Sequence, residues 1–222
     1  MPRHKRYKLC IRIVLRWRAR LLDSAEERAV NRVDVVANDD PAKDDQLILV
    51  DVLDRQVGTA SKLRAHTDGL LHRAFSVVLV RGSGATREVL LTKRAQGKYH
   101  SAGLWTNACC SHPRAGESLD EAVPRRLREE LGIEGVTCHE VGSFVYRHVF
   151  ANGLSEYEYD HVYVANYDGE VNPDPAETSD ARWVGEGELI SALLERPDEF
   201  SAWCAPVMAL ALRTLEENPS LV

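Results

Sequence analysis

Cys110 and His112 stand two residues apart in Trp105-Thr-Asn-Ala-Cys-Cys-Ser-His-Pro113, and the stretch that follows, Arg125-Arg-Leu-Arg-Glu-Glu-Leu-Gly132, carries the adjacent carboxylates Glu129 and Glu130. A thiol can act as nucleophile or acid, an imidazole suits a transition metal, and carboxylates suit Mg²⁺. Two further groups carry the same kinds of donor. His66 and His72 lie six residues apart, a spacing that misses the three or four of helix neighbours, so on a loop or extended segment both rings could reach one ion. In Glu156-Tyr-Glu158 two carboxylates share one face of a strand, where they repel unless a cation lies between them. Taken singly, each has a plain structural alternative: surface histidines, or a solvated strand face of Glu156, Glu158 and Asp160 alternating with Tyr157, Tyr159 and His161.

The elements that must position these groups follow from pattern. Leu47–Leu53 reads as a strand ended by Asp54 to Gly58. Phe75–Val80 and Glu88–Thr92 read as a hairpin closed by Gly82-Ser-Gly84. Ser118-x-x-Glu121 is a capping box opening a helix to Leu131, with Gly132 as its C-terminal stop. Pro124 falls inside that helix, at a cost of roughly 3 kcal/mol, so the helix either starts later or is kinked. Val141–Phe150 and Glu156–Asn166 are strands flanking Ala151-Asn-Gly153, Ala181–Val184 is a short strand, and Glu186–Leu194 and Phe200–Glu217 are helical. Strands, hairpins and helices in this order imply an α+β fold, layered α/β/α around a mixed sheet.

Composition bounds the rest. At 222 residues and 44% apolar content the chain can bury one sizeable core. It has no run of 18 apolar residues, so no membrane span is expected. Residues 1–32 hold ten Lys/Arg against three acids, +7, which leaves about −13 for the remainder of a chain at −6. An acidic body argues against nucleic acid as partner. The basic segment fits an organellar presequence, a basic arm or an over-extended start, and Ala37–Asp45 reads as a linker. Residues 1–46 are therefore expected to be a peripheral or disordered extension, and 47–222 a single catalytic domain. Five cysteines in neither a disulfide framework nor a CxxC pair suggest a reducing, cytoplasmic setting.

One longer pattern joins the opening segment to the helix: Ser111-x5-Glu117-x7-Arg125-Arg126-Leu127-x-Glu129-Glu130-x-Gly132-Ile133. It resembles the Nudix box, Gly-x5-Glu-x7-Arg-Glu-(apolar)-x-Glu-Glu-x-Gly-(apolar), whose loop–helix–loop presents carboxylates to Mg²⁺ and a diphosphate. Ser111 replaces the first Gly, and Arg126 replaces a Glu that helps bind the metal of hydrolysis. With Arg-Ala-His66-Thr, Leu-Leu-His72-Arg-Ala-Phe75-Ser, Leu-Trp105-Thr-Asn-Ala-Cys-Cys110-Ser-His112-Pro and Glu156-Tyr-Glu158, the chain from about residue 47 to 215 resembles type I isopentenyl-diphosphate isomerases, Nudix-fold proteins that do not hydrolyse their substrate.

That resemblance implies a fold, a reaction and a set of roles. The fold is a Nudix-like mixed sheet flanked by helices. One divalent ion, Mn²⁺ or Zn²⁺, sits on His66, His72, His112, Glu156 and Glu158. A second, Mg²⁺, is held by Glu130 and the substrate diphosphate. Lys62, Arg94, Lys98 and Arg126 match basic residues around the diphosphate. Cys110 and Glu158 match the proton-transfer pair, Tyr146 a hydrogen-bond partner of Glu158, and Trp203 an indole facing a carbocation, with Trp105 as a second wall. Cys109 is then a small buried apolar residue. The reaction interconverts isopentenyl and dimethylallyl diphosphate through a tertiary carbocation, in a monomer whose partner is the small-molecule diphosphate. The alternative is a Nudix hydrolase of a nucleoside diphosphate derivative, and a third reading is a relative that binds without turnover.

Overall fold

A computed structural model describes residues 46–222. The expectations for the basic segment and the Ala37–Asp45 linker lie outside the described residues. The first described strand begins at Gln46, one residue ahead of the expected boundary.

Among the described residues, nine strands form one mixed sheet. They are β1 (Gln46–Val50), β2 (Gln56–Ser61), β3 (His72–Arg81), β4 (Glu88–Arg94), β5 (Trp105–Asn107), β6 (Cys109–Ser111), β7 (His139–Val149), β8 (Ser155–Asn166) and β9 (Thr178–Gly185). The helices are α1 (Lys62–Asp68), α2 (Leu119–Leu131), α3 (Glu186–Glu195) and α4 (Cys204–Glu217). None of the described helices is long and apolar enough to cross a membrane.

β3 is the axis of the sheet. Along one edge it pairs with parallel β8 from His72↔Glu158 to Val80↔Asn166. Along the other edge it meets antiparallel β1 at Leu49↔His72, β6 at Ser76↔Cys110 and β4 at Val80↔Val89. Alternation along β3 divides its side chains between two layers. Phe75, Val77 and Leu79 pack under Ala122, Val123, Leu127 and Leu131 of α2. Val78 and Val80 face the other way, into a core built with α3 and α4. The same face carries His72 and Ser76 at its open end, so the polar site continues an apolar column. The α/β/α layering read from sequence is the one observed.

The hairpin at Gly82-Ser-Gly84 is present, as are the long β7–β8 hairpin and the helix opened by Ser118. Other boundaries differ, each for a local reason. β1 stops at Val50, not Leu53, because the Asp51 carboxylate accepts from the amides of Leu53 and Arg55 and turns the chain, with Asp54 at φ 59°. The stretch expected to remain a turn to Gly58 is already β2 at Gln56. His66 lies on a helix rather than on a loop, since Ser61 caps α1 through Arg64 N and Gly69 closes it at φ 63°. The last helix starts at Cys204, not Phe200: Phe200 is extended and bridges Trp105, and the Ser201 amide donates to the Trp105 carbonyl at 2.8 Å.

Pro124 does not delay α2. The capping box is formed, with Ser118 N donating to Glu121 Oε2 at 2.9 Å, and Pro124 is the sixth helical residue, on the exposed side. Its ring meets solvent, and only the Asp120 carbonyl four residues back loses a helical donor. Pro124→Ala is therefore expected to raise stability by about 1–3 kcal/mol, the restored helical bond outweighing the added freedom of the unfolded chain. Urea denaturation checks this, and an unchanged or lowered midpoint contradicts it.

Candidate active site

β8 turns Glu156, Glu158 and Asp160 to one face, and all three are buried. The sequence pattern left open a solvated acidic face; here the order is inverted, with the acids inside and Tyr157 and Tyr159 half-buried. Around these acids the fold collects imidazoles from separate elements. His66 comes from α1, His72 from the first residue of β3, and His112 from the residue after β6. His66 Nε2 lies 3.0 Å from Glu156 Oε2, His112 Nε2 2.9 Å from Glu158 Oε1, and His72 Nε2 3.7 Å from Glu158 Oε1. Ligand atoms of His66, His72, His112, Glu156 and Glu158 all fall within 4.8 Å of one another, so the set could hold a divalent ion.

Backbone contacts orient two of these rings. His66 Nδ1 is 2.6 Å from Lys62 O and His72 Nδ1 is 2.8 Å from Leu70 O. Each Nδ1 thereby donates to a carbonyl, and Nε2 is turned toward the carboxylates. Nε2 of both rings and Oε2 of Glu156 are buried without a hydrogen-bond partner, the condition expected of ligand atoms.

Environment pushes the titration of these groups apart. Burial raises Asp160, the nearby Glu158 adds to it, and the carboxyl sits well above the usual range. Burial also acts on Glu156, but contacts from His100 and His66 outweigh it and hold that carboxylate well below. His112 is pushed down to about 4 by burial, against the pull of Glu158, which favours the neutral ring that ligates metals.

The thiol lines the same cleft as Glu158. Cys110 Sγ donates to Asn107 Oδ1 at 2.9 Å and accepts from Trp203 Nε1 at 2.9 Å. Asn107 Nδ2 is engaged by the carbonyls of Val77 and Cys109, which leaves its oxygen for the thiol. Ser76 Oγ is 3.6 Å from the sulfur and donates to Asp160 at 2.8 Å. Tyr146 on β7 donates to Glu158 Oε2 at 2.6 Å. Cys109, its side chain on the α2 side of the same strand, is buried in the core, as expected of a small apolar residue.

The mouth of the cleft is cationic. Lys62 on α1, Arg94 at the end of β4, Lys98 and Arg126 on α2 line it with Glu130 and Glu177, and the cleft encloses about 690 Å³ including its open end. Arg126 reaches Glu130 Oε1 at 2.5 Å and Glu129 Oε2 at 2.9 Å. Glu130 lines the same cleft without belonging to the five-residue histidine and glutamate cluster. Arg125 clamps Glu117 through Nε at 2.6 Å and Nη2 at 2.8 Å, which ties the loop before α2 to the helix.

Of the residues given a role from sequence, all but His66, His72 and Trp105 line the cleft, and the two histidines lie directly behind it. Trp105 is turned away. Its ring lies under Arg182 at 4.1 Å and Lys93 at 5.6 Å in the core, because the alternation of β5 gives Thr106 to the cleft instead. Four contributors carry no assignment from sequence: His100, 2.7 Å from Glu156 Oε1 and stacked on Phe150; Asp160; Asn107; and Glu177. Asp160 alone had a local signal, the i, i+2, i+4 series of acids.

Burial pushes the Cys110 thiol up to about 12, the Asp160 carboxyl adds to this, and the Ser76 and Thr106 hydroxyls pull it back in part. Only the thiolate is alkylated. In metal-free protein the rate of Cys110 alkylation by iodoacetamide should therefore climb about tenfold per pH unit from about pH 7 past about pH 10. Peptide mapping reads this out, and a plateau near about pH 8 contradicts it.

Residues 70–204 match the NUDIX domain family. Over 177 residues the chain is 44% identical to the isopentenyl-diphosphate Delta-isomerase of Photobacterium profundum, covering 79% of this chain and 98% of that protein. With isopentenyl-diphosphate Delta-isomerase 2 of Aromatoleum aromaticum it shares 46% identity over 162 residues, covering 73% of this chain and 84% of the other. Among solved structures, one from Deinococcus radiodurans superimposes with a TM-score of 0.54 at 18% identity, over 68% of this chain and 90% of that one. The MutT protein from Methanosarcina mazei gives 0.52 at 19% identity, over 67% and 95%. Both structural likenesses concern the fold. The sequence relatives carry more, and on them this chain belongs to the isopentenyl-diphosphate Delta-isomerase family, built on a NUDIX domain.

Proposed function

We infer that this chain interconverts isopentenyl and dimethylallyl diphosphate, in isoprenoid biosynthesis, by two proton transfers at opposite faces of the alkene. The observation that carries the reading is that Cys110 and the hydrogen-bonded pair Glu158 and Tyr146 line one cleft together with Lys62, Arg94, Lys98 and Arg126.

Adding a proton at one alkene carbon leaves a tertiary carbocation, and removing one at the other side relocates the double bond. Cys110 suits the first face: Asn107 directs its S–H, and the indole N–H of Trp203 is placed to hold the sulfur once the proton has left. Glu158 suits the second, its carboxylate fixed by the Tyr146 hydroxyl at 2.6 Å. Trp203 is 4% exposed and Tyr146 6%, so the reacting carbons meet aromatic surface in place of water, which would otherwise trap the cation. The Arg94 guanidinium lies 5.2 Å from the Trp203 ring centre, evidence that this indole accepts positive charge.

His66, His72, His112, Glu156 and Glu158 are the residues that would hold a transition ion, Mn²⁺ or Zn²⁺; the orphaned Nε2 and Oε2 atoms and the mixed imidazole–carboxylate set fit one. When bound, such an ion polarises the Glu158 carboxyl and sets its proton affinity. Glu130 is the group we assign to Mg²⁺ together with the diphosphate. A hydrolase would need a carboxylate where Arg126 stands, and Arg126 instead neutralises Glu129 and Glu130. We place the enzyme in the cytoplasm as a monomer acting on a small diphosphate, with a single catalytic domain over the described residues 46–222.

Purified protein with Mg²⁺ and Mn²⁺ should convert isopentenyl to dimethylallyl diphosphate without releasing phosphate. Cys110→Ala and Glu158→Gln should each lower kcat by about 10²–10⁴-fold, the contribution of a positioned acid or base. Full activity in Cys110→Ala overturns the mechanism, and phosphate release overturns the reaction. Chelation should abolish turnover and lower the Tm, since an ion held at a hundred times its Kd stabilises by about 2.7 kcal/mol. Mn²⁺ or Zn²⁺ should restore both, and His72→Ala, which removes one proposed ligand, should blunt the recovery of the Tm.

A further inference from the structure

The cations at the mouth of the cleft already share a partner. Lys98 Nζ donates to Glu177 Oε2, and Arg126 Nη2 lies 3.4 Å from Glu177 Oε1. One carboxylate therefore spans two of the side chains assigned to the diphosphate, one oxygen to each. Its position is built into the fold. The Glu177 carbonyl accepts from Ala95 N at 3.0 Å and its amide donates to Asp174 O at 3.0 Å, which pins the residue between the end of β4 and the start of β9. The side chain is 26% exposed and faces the cleft.

We propose that Glu177 is an internal counter-anion of the diphosphate site: it holds Lys98 and Arg126 in place when the cleft is empty, and phosphate oxygens exchange for it when substrate enters. The inference rests on the diphosphate reading above. Carboxylate and phosphate oxygens compete for the same ammonium and guanidinium donors, so both cannot be fully satisfied at once. The reaction gives this competition a purpose. Substrate and product carry the same diphosphate, so tight binding of that group favours neither side and only slows release. A resident carboxylate orders the cations in advance and weakens the grip on what must leave.

The test is a calorimetric titration of the full chain with inorganic diphosphate in Mg²⁺, comparing wild type, Glu177→Gln, Lys98→Ala and the double variant. Glu177→Gln is expected to bind diphosphate about three- to tenfold tighter, the scale of two partly exposed ion pairs, and to lower KM for isopentenyl diphosphate in parallel. Glu177→Ala should move both in the same direction, which guards against an effect peculiar to glutamine. In the Lys98→Ala background the gain from Glu177→Gln should shrink, because half of the competition is gone. Unchanged affinity overturns the proposal. So does weaker binding, which would mean that Glu177 helps to hold the ion or merely props the loop. If wild type binds no diphosphate while Lys98→Ala behaves identically, the diphosphate reading itself falls, an outcome distinct from failure at Glu177 alone.

Discussion

Three carboxylates on one buried face of β8 are the constraint from which the rest of this structure follows. Taking an ionised carboxylate out of water costs several kcal/mol even after relaxation. Glu156, Glu158 and Asp160 stand on alternate residues of a single strand, so their charges also oppose one another. The fold meets this in two ways. Burial pushes the carboxyl of Asp160, the least exposed of the three, well above the usual range, and Ser76 donates to it. Glu156 and Glu158 stay ionised because His66, His100 and His112 approach within 3.0 Å and Tyr146 donates at 2.6 Å. Without such partners β8 could not lie inside the sheet in this register.

Those partners depend in turn on β3. It places His72 beside Glu158 on one edge and Ser76 beside Cys110 on the other, and the period of two keeps both on the face opposite α2. A slip of one residue would send His72 and Ser76 into the α2 core and Phe75 and Val77 into the cleft. Apolar packing is what forbids that slip: Phe75, Val77 and Leu79 are fully buried under α2. The register of the site is thus held by side chains that do not line the cleft.

Much of this is legible in the chain, and what is not has physical causes. Local patterns suffice for the β3–β4 and β7–β8 hairpins and for α2, whose caps and turns are written in adjacent residues. Local patterns also mislead. Apolar residues continue the helical spacing of the final helix back to Phe200, but the Trp105 backbone pairs with Phe200 and Ser201 and delays it. The metal cluster has almost no local signature. Its members come from α1, β3, the loop after β6 and β8, and only resemblance to a known family joins them. His100, Asn107 and Glu177 are single polar residues whose meaning depends on partners far along the chain, 30 positions from Asn107 to Val77 and 79 from Glu177 to Lys98, so no spacing announces them. The acids of β8 show the limit most directly. Their alternation is plain in the sequence, but polarity alone points it toward water, and only the ring of imidazoles reverses that.

Arg126 shows how the two ends of the cleft are kept chemically distinct. The helix retains its capping box and the Glu117–Arg125 clamp, both of which serve the placement of α2. At position 126 a carboxylate would add to Glu129, Glu130 and Glu177 and concentrate negative charge where the proposed mechanism brings the diphosphate. The guanidinium instead ties those acids together and adds a cation beside Lys98. Charge in the cleft then runs from cationic at the mouth to a deeper wall of Tyr146, Trp203 and a thiol held protonated by burial. On the proposed mechanism, a substrate with an anionic head and a hydrocarbon tail would enter such a gradient head outward, its alkene toward Cys110 and Glu158. On that proposal, an arginine in place of a carboxylate at the phosphate end also helps to direct the double bond toward the two groups proposed to move its protons.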